Sequence, residues 1–183
     1  MKPKDQKRSL VIACLAAAAL GFSNTDSSAQ ATNGTVTLQV TTVTYGGKYA
    51  VKNVGAVWVE DSQNRFVKTL NLWANKRKQH LIKWNAASSG NVLDAVTGAT
   101  ARAHESHTMI WNCTDLTGAV VNDGTYRIYA EFTEDNSSSA GSPPGKWMVA
   151  EFVKGSTSQT LTPPDQANFK SIQLVYTTGG GTP

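Results

Sequence analysis

A chain of 183 residues, 40% of them hydrophobic and only 16% charged, is long enough for one packed core and too apolar for disorder. Its 17 Lys and Arg exceed its 13 Asp and Glu by a net of +4, and two cysteines are too few for a disulfide-stapled scaffold. Much of that basic excess sits in the first eight residues, so the charge gives no reason to expect a nucleic-acid partner.

Lys2, Lys4, Lys7 and Arg8 form a basic start, followed by an apolar stretch over residues 9–22 that is short for a bilayer span. A polar stretch and the small-x-small triplet Ala29-Gln30-Ala31 follow. Together they predict a secretory signal over residues 1–31, cut after Ala31, and hence an exported protein, periplasmic or secreted, that is not membrane-embedded. The remaining thirteen basic and eleven acidic residues leave a net of +2, with Cys113 as the one remaining thiol. A lone thiol after a strand-like run reads as a small buried hydrophobe.

Strand signals dominate from there. Val36, Leu38 and Val40 alternate with Thr37, Gln39 and Thr41. Further runs are Val57-Trp58-Val59, residues 66–72, HTMIW at 107–111, YRIYAEF at 126–132, residues 147–153 and residues 172–176, separated by turn clusters such as Asn122-Asp123-Gly124. In the fifth run Tyr126, Ile128, Ala130 and Phe132 share one face. No segment holds a helical period. The pattern predicts an all-β, immunoglobulin-like antiparallel β-sandwich over residues 32–178, with a flexible tail at 179–183. One long irregular insertion, residues 74–103, interrupts it. The insertion opens on a basic cluster (Lys76, Arg77, Lys78, with His80 and Lys83 close behind) and closes on DAVTGAT, residues 94–100. Irregular excursions of this length in a compact domain are usually functional or disordered.

Three resemblances attach to these residues. Val67-Lys68-Thr69-Leu70, then Trp111, Asp115, Gly118 and Asn122-Asp123-Gly124-Thr125-Tyr126, resemble immunoglobulin-like domains of the flagellar hook-capping type. That likeness speaks to fold and not to activity. The longer stretches around residues 54–84, 94–100, 107–115 and 123–136 resemble the predicted periplasmic proteins of the domain of unknown function numbered 2271. This implies bacterial export and a compact β-domain, without an established activity. DAVTGAT resembles the acceptor site of covalently flavinylated proteins, D-x-x-(S/T)-G-A-(S/T).

The flavinylation resemblance implies FMN joined through a phosphoester to the last hydroxyl, here Thr100, by an exported FAD:protein FMN transferase that needs magnesium. Asp94, Thr97, Gly98 and Ala99 fall on the other fixed positions. Gly98 and Ala99 leave the backbone open to the transferase, and Asp94 can bond its own backbone to shape the loop. Ala101-Arg102 departs from the hydroxyl residue often found after the acceptor. A flavin on Thr100 would make His104 and His107 candidates for hydrogen bonds to its phosphate or ring, and Trp84 a candidate to stack on it. The basic cluster would pair with the phosphate, or dock an unknown redox partner protein.

His104 and His107 stand three apart with Glu105 between them, one residue short of the metalloprotease spacing, so no metal site is expected. No nucleophile–base set or paired carboxylates appear. The expected function is therefore an extracytosolic electron carrier with FMN on Thr100, a redox carrier or accessory protein rather than an independent enzyme. The alternative is an immunoglobulin-like binding or structural module with no cofactor.

Overall fold

The computed structural model of the chain describes residues 29–91, 96–97 and 102–179, with only the backbone described for Val96 and Thr97. Residues 1–28 of the expected signal, and the tail from residue 180, lie outside them.

Among the described residues, ten strands form two sheets. The first carries β6 (Ser106–Trp111), β1 (Gly34–Thr42), β10 (Phe169–Thr178) and β9 (Gln159–Leu161), in that order. The second carries β4 (Val96–Thr97), β3 (Phe66–Leu72), β2 (Lys52–Asp61), β7 (Gly124–Thr133) and β8 (Lys146–Lys154), with β5 (Arg102–Ala103) paired to β2 off the main path. Every strand pairing is antiparallel except β3 with β4. The expected all-β antiparallel sandwich is the architecture found.

The period-two pattern does its work in the space between the sheets. Val36, Leu38 and Val40 of β1 point inward with Met109 and Trp111 of β6 and with Ile172, Leu174 and Tyr176 of β10. They meet Val57 and Val59 of β2, Met148, Ala150 and Phe152 of β8, and the face of β7 made by Tyr126, Ile128, Ala130 and Phe132. The Tyr126 hydroxyl donates to the Asn122 carbonyl at 2.7 Å. That bond locks the turn before β7 much as tyrosine corners do in other sandwiches. Cys113 is fully buried, and burial pushes its thiol up to about 11, which leaves it a packing residue.

β2 is buried along nearly its whole length instead of alternating. Its outer face is covered because the insertion does not stay irregular. It folds into a short 3-10 turn (Lys78–His80) and a seven-residue helix, α1 (Ile82–Ser88). Leu81 and Trp84 pack there on Val54, Ala56, Trp58 and Leu72, making a second, smaller core. Seven residues are too few for a helix to persist alone. The N-terminal N–H groups of this one are capped from β7, where the Glu131 carboxylate accepts from Trp84 N–H at 2.8 Å and Lys83 N–H at 3.2 Å.

Four of the five tryptophans are buried, and each indole N–H finds an acceptor: Trp58 on Glu60, Trp73 on Asn53, Trp84 on Thr69 and Trp111 on the Thr114 carbonyl. Trp73 lies across Gly55, where an added Cβ would overlap the indole and stand 2.7 Å from the Glu131 carbonyl. Gly55→Ala is accordingly expected to lower stability by about 1–3 kcal/mol, the usual cost of overpacking, read as a lower urea midpoint at unchanged slope.

Candidate functional site

Strand pairing holds the middle of DAVTGAT and the residues just after it. On one side β4 runs parallel to β3, with Val96 opposite Asn71 and Thr97 opposite Leu72. On the other side β5 pairs with the start of β2, Arg102 opposite Asn53 and Ala103 opposite Lys52. The Asn53 amide fixes this second anchor: its Nδ2 donates to the Arg102 carbonyl at 3.1 Å while its Oδ1 accepts from the Trp73 indole at 2.8 Å. Asp94, Gly98, Ala99 and Thr100 lie outside the described residues, as does the Thr97 side chain.

His104 follows directly. Its Nε2 stands 2.6 Å from Glu134 Oε1, and its ring meets Phe132 edge-on at 5.1 Å. The Glu134 side chain is fully buried and also accepts from Gly47 N–H at 2.8 Å and Tyr45 N–H at 3.2 Å. Burial pushes this carboxyl up, but bonds from the Thr44 hydroxyl, Gly47, His104 and Tyr45 outweigh it and hold the group below its ordinary range. His104 Nδ1 is buried with no partner among the described residues.

His107 and Trp84 are placed otherwise than a flavin contact requires. His107 sits on β6 with 4% of its surface exposed, stacked on Trp73 at 4.8 Å, with Nε2 3.3 Å from the Thr42 hydroxyl. Burial lowers its pKa, so it packs as a neutral ring. Trp84 has no exposed surface, since α1 turns it down into the second core. The expectation that it stacks on an isoalloxazine is corrected by that burial. It rested on reading residues 74–103 as irregular, and a short helix stands there instead.

The basic cluster divides. Lys83 reaches over the half-exposed Trp147, 4.1 Å from the ring centroid, and toward Tyr129 at 5.7 Å. Arg77 turns the other way, over the Tyr49 ring at 5.2 Å. It borders a cavity of about 260 Å³ walled by Tyr49, Lys52, Asn53, Val54, His80 and the stretch Thr133-Glu134-Asp135. Asn53 and Glu134 are the residues that pin β5 and His104, so the cavity lies against the second anchor of the DAVTGAT segment. Sequence reasoning did not single out Tyr49, Lys52 or Asn53. The only local signal is the turn-rich Gly46-Gly47-Lys48 just before them.

A larger, more open depression of about 700 Å³ lies at the Asn122-Asp123-Gly124 end of the sandwich and includes Asp61, Asp115 and Asp123. All three carboxylates are already engaged, by Arg65, by Thr117 and Ala119, and by Lys154 with Thr32. Among the described residues no group of three or more His, Cys, Asp or Glu could hold a metal, and no helix is long and apolar enough to cross a membrane.

Residues 31–147 match the family described as predicted periplasmic protein, DUF2271. No curated protein and no solved structure matches the chain.

Proposed function

The chain belongs to the DUF2271 family of predicted periplasmic proteins, and from that premise we propose that it is an exported carrier of FMN, held covalently on Thr100, that passes electrons outside the cytoplasm. The observation that carries this reading is the Asp94–Thr97–Gly98–Ala99–Thr100 pattern, with Val96-Thr97 paired to β3 and Arg102-Ala103, just after it, paired to β2.

Attachment is a phosphoryl transfer. The Thr100 Oγ forms a bond to the FMN phosphorus of FAD, the pyrophosphate bond breaks, AMP leaves, and the hydroxyl proton passes to solvent or to the leaving phosphate. Magnesium belongs to the transferase. Once bound, FMN supplies one- and two-electron transfer, and the protein supplies tether and environment. The residues nearby suit such a group: Lys52 and Arg77 have no ion-pair partner among the described residues, and His104 Nδ1 has an unused bonding position. The second reading, a cofactor-free binding module, draws on the half-exposed Trp147 with Lys83 across it.

The test is chemical. The exported protein is coexpressed with an FMN transferase, then denatured and desalted. The expected product stays yellow and is heavier by one FMN less one water. Unmodified protein, from a host in which a known acceptor is flavinylated, would reject the carrier and leave the binding module.

A further inference from the structure

We propose that the cavity between Tyr49 and His80 is the seat of the flavin ring. This rests on the FMN reading above, and three properties of the cavity point to that occupant.

The first is size and position. About 260 Å³ is just below the usual range of about 300–1,000 Å³ for small-molecule sites. It suits one planar ring system with its tether outside, and is too small for a whole dinucleotide. Asn53 in its wall bonds the Arg102 carbonyl, and Thr100 is only two residues from Arg102. The cavity wall is thus bonded to the chain two residues after the proposed acceptor.

The second is shape. Val54 gives an apolar floor, and the Tyr49 ring is fixed in place because its hydroxyl accepts from Asn136 Nδ2 at 3.0 Å. Arg77 and Lys48 lie over that ring at 5.2 and 5.6 Å, so a planar ligand meets a wall made of the ring and these cations together.

The third is the sign of the charge left to spend. Glu134 and Asp135 are filled from the protein side by Tyr45, Gly47, Lys48 and His104. Lys52 and Arg77, by contrast, have no anionic partner among the described residues. His80 is buried, with Nδ1 3.4 Å from the Ser138 N–H and 2.7 Å from its hydroxyl, and Nε2 3.4 Å from the Gln79 amide nitrogen. Lys52 and Arg77 line the same cavity as the Glu134 and Asp135 carboxylates, and they are the groups there that can pair with a ring that gains negative charge on reduction. Removing either cation would therefore lower the reduction potential of an occupant.

Flavinylated wild type, Tyr49→Leu, Arg77→Gln and Trp147→Leu proteins are compared by intact mass, flavin fluorescence and reduction midpoint. Wild type is expected to show emission quenched severalfold relative to the same protein unfolded in guanidinium. Tyr49→Leu should recover most of the emission, Arg77→Gln should shift the midpoint to lower potential, and Trp147→Leu should change neither, all with full FMN mass. Equal emission from folded and unfolded wild type, or quenching lost in Trp147→Leu instead, overturns the seat while attachment stands. If mass shows no FMN, free FMN is titrated into the unmodified protein. Saturable quenching that Tyr49→Leu abolishes supports the seat without the tether, and its absence overturns both. Arg77 is exposed, so Arg77→Gln keeps the test open even where Tyr49→Leu fails to fold.

Discussion

Thr100→Ala is expected to abolish the covalent flavin while leaving the protein folded. The loss should be all or none, because the phosphoester needs an oxygen at that position and alanine offers none. Stability should change little. The flanking residues are held by main-chain pairing of β4 to β3 and β5 to β2, and substitutions away from core contacts usually stay within about 0.5 kcal/mol. Two companions separate this chemistry from a general disturbance of the loop. Thr100→Ser retains the nucleophilic oxygen and is expected to retain flavin. Thr97→Ala removes a different hydroxyl of the same motif and is expected to keep at least part of it. Intact mass and the visible spectrum of denatured protein read all three. Flavin surviving on Thr100→Ala and lost on Thr97→Ala would move the acceptor to Thr97.

The contrast between what the sequence foretold and what it did not follows the range of the forces involved. Period-two alternation is a local signature of a strand with one buried face, so Val36, Leu38 and Val40, or Tyr126, Ile128 and Phe132, could be assigned inward from the sequence. α1 could not, because seven residues carry too little period and the helix is held by Glu131, 47 positions further along from Trp84. Missing the helix led directly to the wrong surroundings for Trp84. The two histidines show the same limit. Three residues apart, they read as a pair, yet His107 belongs to the interior against Trp73, while His104 meets a carboxylate thirty positions away. The cavity beside Asn53 was invisible for the same reason: its walls come from the start of β2, the 3-10 turn and the end of β7, which only the folded sheet brings together.

Asp123→Ala is expected to be the most destabilising of the single changes considered, at about 3 kcal/mol. Lys154 ends β8 with its side chain fully buried, and its ammonium meets Asp123 at 2.6 Å. The same carboxylate accepts from Thr32 N–H at 2.8 Å and from the Thr32 hydroxyl at 2.6 Å. Deleting it leaves a buried ammonium with no counter-charge. Removing one partner of a buried pair costs about 3–5 kcal/mol, and the partial exposure of Asp123, 19%, argues for the low end. Asp123→Ala combined with Lys154→Met removes the charge along with its partner, and should recover much of the loss. The pair also sets an acid limit. Burial pushes the Asp123 carboxyl up, but the bonds from Lys154 and Thr32 outweigh it and hold the group at about 2. An unfolded aspartate titrates near about 3.9. As pH falls, the unfolded chain therefore takes up the proton first, so this stabilisation is whole above about pH 4 and drains away as pH drops through about 2. Glu131 runs the opposite way. Burial raises its pKa despite the bonds from Trp84 and Lys83, so its contribution is full below the unfolded value and is lost as pH rises through the raised one. Urea midpoints of wild type and Asp123→Ala measured from pH 7 to pH 2 should converge below pH 4. Curves that stayed parallel would show that Asp123 does not carry the acid sensitivity. Cleavage after Ala31 would make the Thr32 N–H an α-ammonium facing the same carboxylate. Protein beginning at Thr32 is therefore expected to lose more on Asp123→Ala than protein whose N-terminus is acetylated, and equal losses would remove the terminal charge from this network.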